Sequence, residues 1–253
     1  MVKRPRRVDA WSTQPVYLVK APKFKEIEAQ KKQLKGRKAD VYLYPDGQFG
    51  EVSLDELAAV VKAACGRETL SRAEYFPYHL ERLSFKTRRH ELNDRAMRLS
   101  WTRVRDRALQ DPGMTPWLGE VDYEKTRLGA ELHPDFGTLG NYVGKPAGVM
   151  YDAAAFQEVC GSILPEEEIE GLHHVIVTNQ VLGVWNQAKK HWETVPYQKG
   201  NIITIVSAVE REAEGEHPGP RTVVVVDPSG ASQSVTYVDK EALKARLRAA
   251  LAK

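Results

Sequence analysis

The run GLHHVIVTNQVLGVW, Gly171 to Trp185, constrains the fold more than any other stretch of the chain. It is short, apolar and rich in β-branched residues, which is the pattern of a strand covered on both faces. A strand of this kind lies centrally in a sheet that has layers packed on it. It also raises a local question, because His173 and His174 open it. Neighbours on a strand point to opposite faces, so the two imidazoles are not expected to serve one site together.

Other segments fit the same architecture. VYLYPDG reads as a strand over 41–44, ended by Pro45 and a turn at Asp46-Gly47. Ser53-Leu54-Asp55-Glu56 is a capping box, in which the Ser53 oxygen takes a backbone N–H three residues on and Glu56 reaches back. Leu54, Leu57, Val61 and Ala64 then recur at helical spacing until Gly66. RAEYFPY, residues 72–78, reads as a second strand, and strand–helix–strand makes an α/β unit. Residues 83–109 read as an arginine-rich helix on a stripe of Leu92, Ala96, Leu99, Val104 and Ala108. Residues 110–148 carry turn signals and little periodicity, a long connection of the sort that often bears function. Asp152 is placed to cap a helix with Phe156, Val159 and Cys160 on its apolar side. Strand candidates follow at 174–178, 191–195 and 202–206. Asp227-Pro228-Ser229-Gly230 marks a C-terminal hairpin, and Asp239 caps a last helix.

Charge is unevenly distributed. Residues 1–39 hold twelve Lys or Arg against Asp9, Glu26 and Glu28, a net of +9; the whole chain carries +3, so the other 214 residues carry −6. A short basic block on a mildly acidic body suits a polyanionic partner. No apolar run reaches the roughly 18 residues of a membrane span, and no apolar segment follows the basic MVKRPRRVDAW as in a secretory signal. Cys65 and Cys160 form neither a disulfide framework nor a zinc spacing, and such sparse thiols suit a reducing cytoplasm, the expected location.

The residues bear on four chemistries. Zinc takes three protein ligands and an open position in catalytic sites. His173 or His174 can join His191 if their strands pair, with the 133–145 loop beside them, so His173, His174 and His191 are the candidate metal ligands. The helical H-E-x-x-H pair is missing; His90-Glu91-Leu92-Asn93-Asp94 ends in Asp on a polar helix. Nucleophilic catalysis lacks a G-x-S-x-G elbow, and Cys160 follows a helix where a thiolate needs to precede one. Neither phosphate-binding glycine motif occurs; the glycines of 137–144 have no strand leading into them. Nucleic-acid binding has the fullest residue set: Lys3, Arg4, Arg6, Arg7, Lys20, Lys23, Lys25, Lys31, Lys32, Lys35, Arg37 and Lys38 to neutralise phosphates, and Trp11 to stack on a base. The arginine-rich helix offers a second surface.

The succession VYLYPDG, GVMYDAAAFQEV, LHHVIVTNQVLGVW and NIITIVS resembles the front part of an uncharacterised, mainly archaeal family labelled metallopeptidases, and more remotely is similar to the archaemetzincins. The resemblance covers residues 40–110 and 145–208. It implies that LHHVIVTNQVLG and NIITIVS belong to a sheet beside a zinc helix. After Ser207 such proteins present H-E-x-x-H, whereas this chain continues VEREAEGEHPGPRTVVVVDPSG, with His217 alone beside Pro218. No zinc ligand or general base is therefore carried over.

These readings predict an α/β or α+β domain over 40–253, with a mixed sheet, two or three packed helices and a C-terminal hairpin and helix. An extended basic arm, 1–39, precedes it. The expected function is non-enzymatic binding, the arm docking on RNA or a ribonucleoprotein, with no cofactor. The alternatives are a divergent zincin-like hydrolase using zinc and a subunit of a larger protein assembly.

Overall fold

The computed structural model describes residues 22–47, 52–104, 116, 118–128, 147–211, 222–226 and 232–252. Within them the chain forms an α+β fold. Helix α1 (Pro22–Leu34) leads into β1 (Val41–Asp46), α2 (Leu54–Cys65) and β2 (Thr69–Ser71). Helices α3 (Tyr75–Glu81), α4 (Phe85–Thr102) and α5 (Leu118–Arg127) follow, then β3 (Ala147–Asp152) and α6 (Ala153–Gly161). The remainder is β4 (His173–Thr178), β5 (Gln180–Asn186), β6 (His191–Val195), β7 (Tyr197–Gln198), β8 (Ile203–Ser207), β9 (Val209–Arg211), β10 (Thr222–Val226), β11 (Ser232–Tyr237) and α7 (Lys240–Leu251).

The main sheet runs β2-β1-β4-β8-β7, parallel except for β7. Its central strands are buried on both sides, as their apolar runs require. Tyr42, Tyr44, Ile176, Ile203 and Ile205 face α1, α3, α4 and α6. Val41, Leu43, Val175, Val177 and Val206 face α2 and α7. Crossing from β1 to β2 uses one face and returning to β4 uses the other. The chain thus reverses between β1 and β4, the place where parallel sheets of this kind commonly bind ligands at their carboxyl edge. A second sheet, β3-β5-β6, and an antiparallel set, β10-β11-β9, complete the fold.

Local signals hold where capping chemistry is explicit. Ser53 and Glu56 form the reciprocal capping box, and Gly66 ends α2 with φ 68°. Asp152 accepts from the N–H groups of Ala154 and Ala155, and Asp239 from Ala242. The C-terminal hairpin and helix are present.

Three expectations need correction. The segment 72–78 is not a strand: β2 ends at Ser71 and Tyr75 begins α3. Pro77 falls in the first helical turn, where its missing N–H has no partner to lose. Helices number seven among the described residues, not two or three. The boundary at 39 is also displaced, because α1 packs on the body: Ile27 is 2% exposed, Gln30 accepts from the Ala73 N–H, and Lys31 donates to Glu81 Oε2 (2.6 Å) and to the Tyr78 carbonyl (2.8 Å).

Candidate functional site

Strand parity places a polar line on the α3–α6 side of the sheet. Tyr42, Tyr44 and Asp46 of β1 stand beside His174, Ile176 and Thr178 of β4 in register. Two buried clusters form along it, one toward the amino ends and one at the carboxyl edge.

The first surrounds His174. Its Nε2 lies 2.9 Å from the Glu168 backbone carbonyl and its Nδ1 lies 3.2 Å from the Tyr44 hydroxyl. A carbonyl cannot donate, so Nε2 carries the proton. Burial holds the ring below its ordinary pKa, hence neutral, and Nδ1 is the bare nitrogen. Tyr44 donates to it and accepts from Arg72 Nη1 at 2.9 Å. Arg72 also binds the Glu168 carboxylate at 3.1 Å, and its guanidinium lies 3.4 Å from the Tyr42 ring centroid and 4.7 Å from that of Tyr78. His79, on α3, packs against Tyr44, Tyr75, Tyr78 and His174. It is 1% exposed, its Nε2 has no hydrogen-bond partner among the described residues, and burial, with His174 and Arg72 adding to it, holds its pKa well down. His79, Glu168 and His174 offer ligand atoms within 4.8 Å of one another, the one such trio found among the described residues.

The second cluster lies at the carboxyl edge. Glu124 of α5 is fully buried. Its Oε1 accepts from Arg103 Nε (3.0 Å), Arg103 Nη2 (2.8 Å) and the Tyr151 hydroxyl (2.5 Å). Its Oε2 accepts from Arg127 Nη1 (2.8 Å). Arg127 Nη2 in turn meets Asp46 Oδ2 at 2.6 Å, and Thr178 donates to that same oxygen at 2.8 Å. Burial pushes the Glu124 pKa up, but Arg127 and Arg103 outweigh it and hold the carboxyl below its usual value. Burial raises neighbouring Tyr123 to about 12. Four hydrogen bonds fill the Glu124 carboxylate, and the network clamps α5 onto the reversal point of the sheet.

The predicted metal set does not converge. His173 and His174 face opposite sides, as strand geometry requires. His173 Nδ1 donates to the Asn201 carbonyl (3.1 Å), so its Nε2 accepts from Thr204 Oγ1 (3.0 Å). It is a pin between β4 and β8. His191 lies on β6 in another sheet, exposed, 3.6 Å from Glu193. β6 pairs with β5, not β4, so the condition for joining His191 fails. His133, His217 and the 133–145 loop lie outside the described residues. Sequence reading missed His79 and Glu168 as partners of His174; the one available hint was the acidic turn that ends at Glu168.

Of the basic set, Lys3, Arg4, Arg6, Arg7, Trp11 and Lys20 lie outside the described residues. Lys23 and Lys25 fall in the first turns of α1. Lys31 is tied to Glu81, whereas Lys32, Lys35, Arg37 and Lys38 are exposed and form no ion pair among the described residues. Three arginines of α4 hold neighbouring elements. Arg88 binds the carbonyls of Leu80, Glu81 and Leu83, and Arg95 and Arg98 bind Ser162 after α6. They stabilise helix ends, Arg98 staying 38% exposed, while Arg105 and Arg107 lie outside the described residues.

Fold and clusters together define an α+β protein built on a doubly wound, mainly parallel sheet, with buried polar clusters beside its reversal point. The chain belongs to a family of unknown function, DUF7001, whose family model matches residues 42–210. The match spans both clusters and excludes the basic segment and the C-terminal helix. No curated protein matches the chain, and no solved structure does. No described helix is long and apolar enough to cross a membrane.

Proposed function

We propose that the protein is a non-enzymatic binding protein whose basic N-terminal segment docks on RNA or a ribonucleoprotein. The observation that carries this reading is the segregation of charge: +9 within residues 1–39 against −6 in the rest. Packing of α1 on the body gives the segment a fixed root. At the end of α1, Lys32, Lys35, Arg37 and Lys38 point to solvent. Cations so placed neutralise phosphates and release counterions, and Trp11 supplies a ring on which an unpaired base can stack.

The test must leave α1 intact, because Ile27 and Lys31 belong to the packed body. A chain lacking residues 1–21 loses Lys3, Arg4, Arg6, Arg7 and Lys20. Binding to single-stranded RNA, followed by fluorescence anisotropy across a salt series, should weaken steeply with salt in the full chain. The log–log slope should shrink by up to about 3.5 on truncation, at about 0.7 for each phosphate no longer neutralised. Reversing Lys32, Lys35, Arg37 and Lys38 to Glu should weaken binding further. Salt-insensitive binding, or full binding by the truncated and reversed chains, would overturn the reading.

A further inference from the structure

We propose that His79, His174 and Glu168 hold one zinc ion beneath α3. Geometry comes first: three side chains from a helix, a strand and a turn bring their ligand atoms within 4.8 Å of one another. Two imidazoles and a carboxylate form a donor set that zinc accepts.

Each ligand is prepared for the ion in a different way. His79 Nε2 is buried with no partner among the described residues, an arrangement that natural cores rarely tolerate. His174 donates its Nε2 proton to the Glu168 carbonyl and keeps Nδ1 bare. A ring N–H donated to a backbone carbonyl is the outer contact that commonly orients a ligating histidine. Arg72 fixes the Glu168 carboxylate, and it also weakens the site by placing a positive charge beside the ion. The metal would take Nδ1 in place of the Tyr44 hydroxyl, which keeps its bond from Arg72.

This inference does not depend on RNA binding. Full-length protein, stripped with a chelator and dialysed, is titrated with zinc and monitored by native mass spectrometry and thermal shift. One ion per chain and a raised Tm are expected. His79→Gln and Glu168→Gln should each lower zinc affinity beyond the roughly 100-fold that removing a ligand's supporting hydrogen bond can cost, and His191→Ala should not. Histidine-selective NMR of the wild-type chain decides the matter even if a variant fails to fold. Zinc must move the ring signals of His79 and His174 and leave His191 unmoved. A folded wild-type chain that takes up no zinc, or uptake that survives both substitutions, overturns the proposal.

Discussion

Replacing Glu124 by Gln tests whether the carboxyl-edge network holds α5 in place. The two side chains have nearly the same shape, so the change creates no cavity and its effect is electrostatic. Glu124 accepts four hydrogen bonds, three of them from guanidinium groups, and is fully buried. Glutamine has a single acceptor oxygen. Its amide nitrogen would face either Arg127 or the Arg103–Tyr151 pair, donor against donor. Arg103 and Arg127 would keep their charges in a buried site with less compensation. Breaking a buried ion pair on one side costs about 3–5 kcal/mol. For a domain of this size each kcal/mol moves Tm by about 2–4 °C, so a fall of about 6–20 °C is expected. Differential scanning calorimetry at neutral pH measures it. The exposed pair of Lys189 and Glu193 is the control, since such pairs contribute little, and Glu193→Gln should leave Tm unchanged. A Glu124→Gln chain that melts with the control would refute the assignment of the network as a clamp.

The histidines predict acid sensitivity. His79 and His174 have folded pKa values below the ordinary 6.5, so the unfolded chain binds more protons as pH falls. Their stabilisation is complete above about 6.5 and is lost as pH drops toward the folded values, by at most about 1.4 kcal/mol per pH unit for each ring. Urea midpoints between pH 7 and 5 should show this slope, and a flat profile would contradict it. Gly47 has φ +94°, and a Cβ there would meet the Asn179 side chain at 2.6 Å. Gly47→Ala should therefore lose at least about 1–2 kcal/mol from backbone strain alone, read as a lower urea midpoint; an unchanged midpoint would exclude the strained turn.

Parts of this fold are legible because their causes are local. The capping box at Ser53, the Asp152 and Asp239 caps, and the two-sided apolar runs of β1, β4 and β8 depend on residues within a turn or on simple alternation. The misread stretch is RAEYFPY, where aromatic residues suggest a strand while tertiary burial of Tyr75, Phe76 and Tyr78 selects a helix. Gly183 lies inside β5, where the Met150 side chain comes so close that a Cβ would require it to shift.

The clusters are less legible because their partners are far apart along the chain. Tyr44 and His174 are separated by 130 residues, and Asp46 and Thr178 by 132. Parallel pairing brings them together, and no local pattern encodes its register. One step is nevertheless open to a reader of the sequence. The parity that splits His173 from His174 also sorts VYLYPD, placing Tyr42, Tyr44 and Asp46 on one face and Val41, Leu43 and Pro45 on the other. Likewise His174 and Thr178 share a face of β4. Two neighbouring apolar strands that each hide polar atoms on the same side must bury those atoms with partners. In this chain Arg72 from the end of β2, His79 and Glu168 supply them at one end, and Arg127 at the other. The polar residues concealed within apolar strands thus predict where partners must gather, and one of those partners, His79, itself keeps a buried Nε2 with no bond among the described residues.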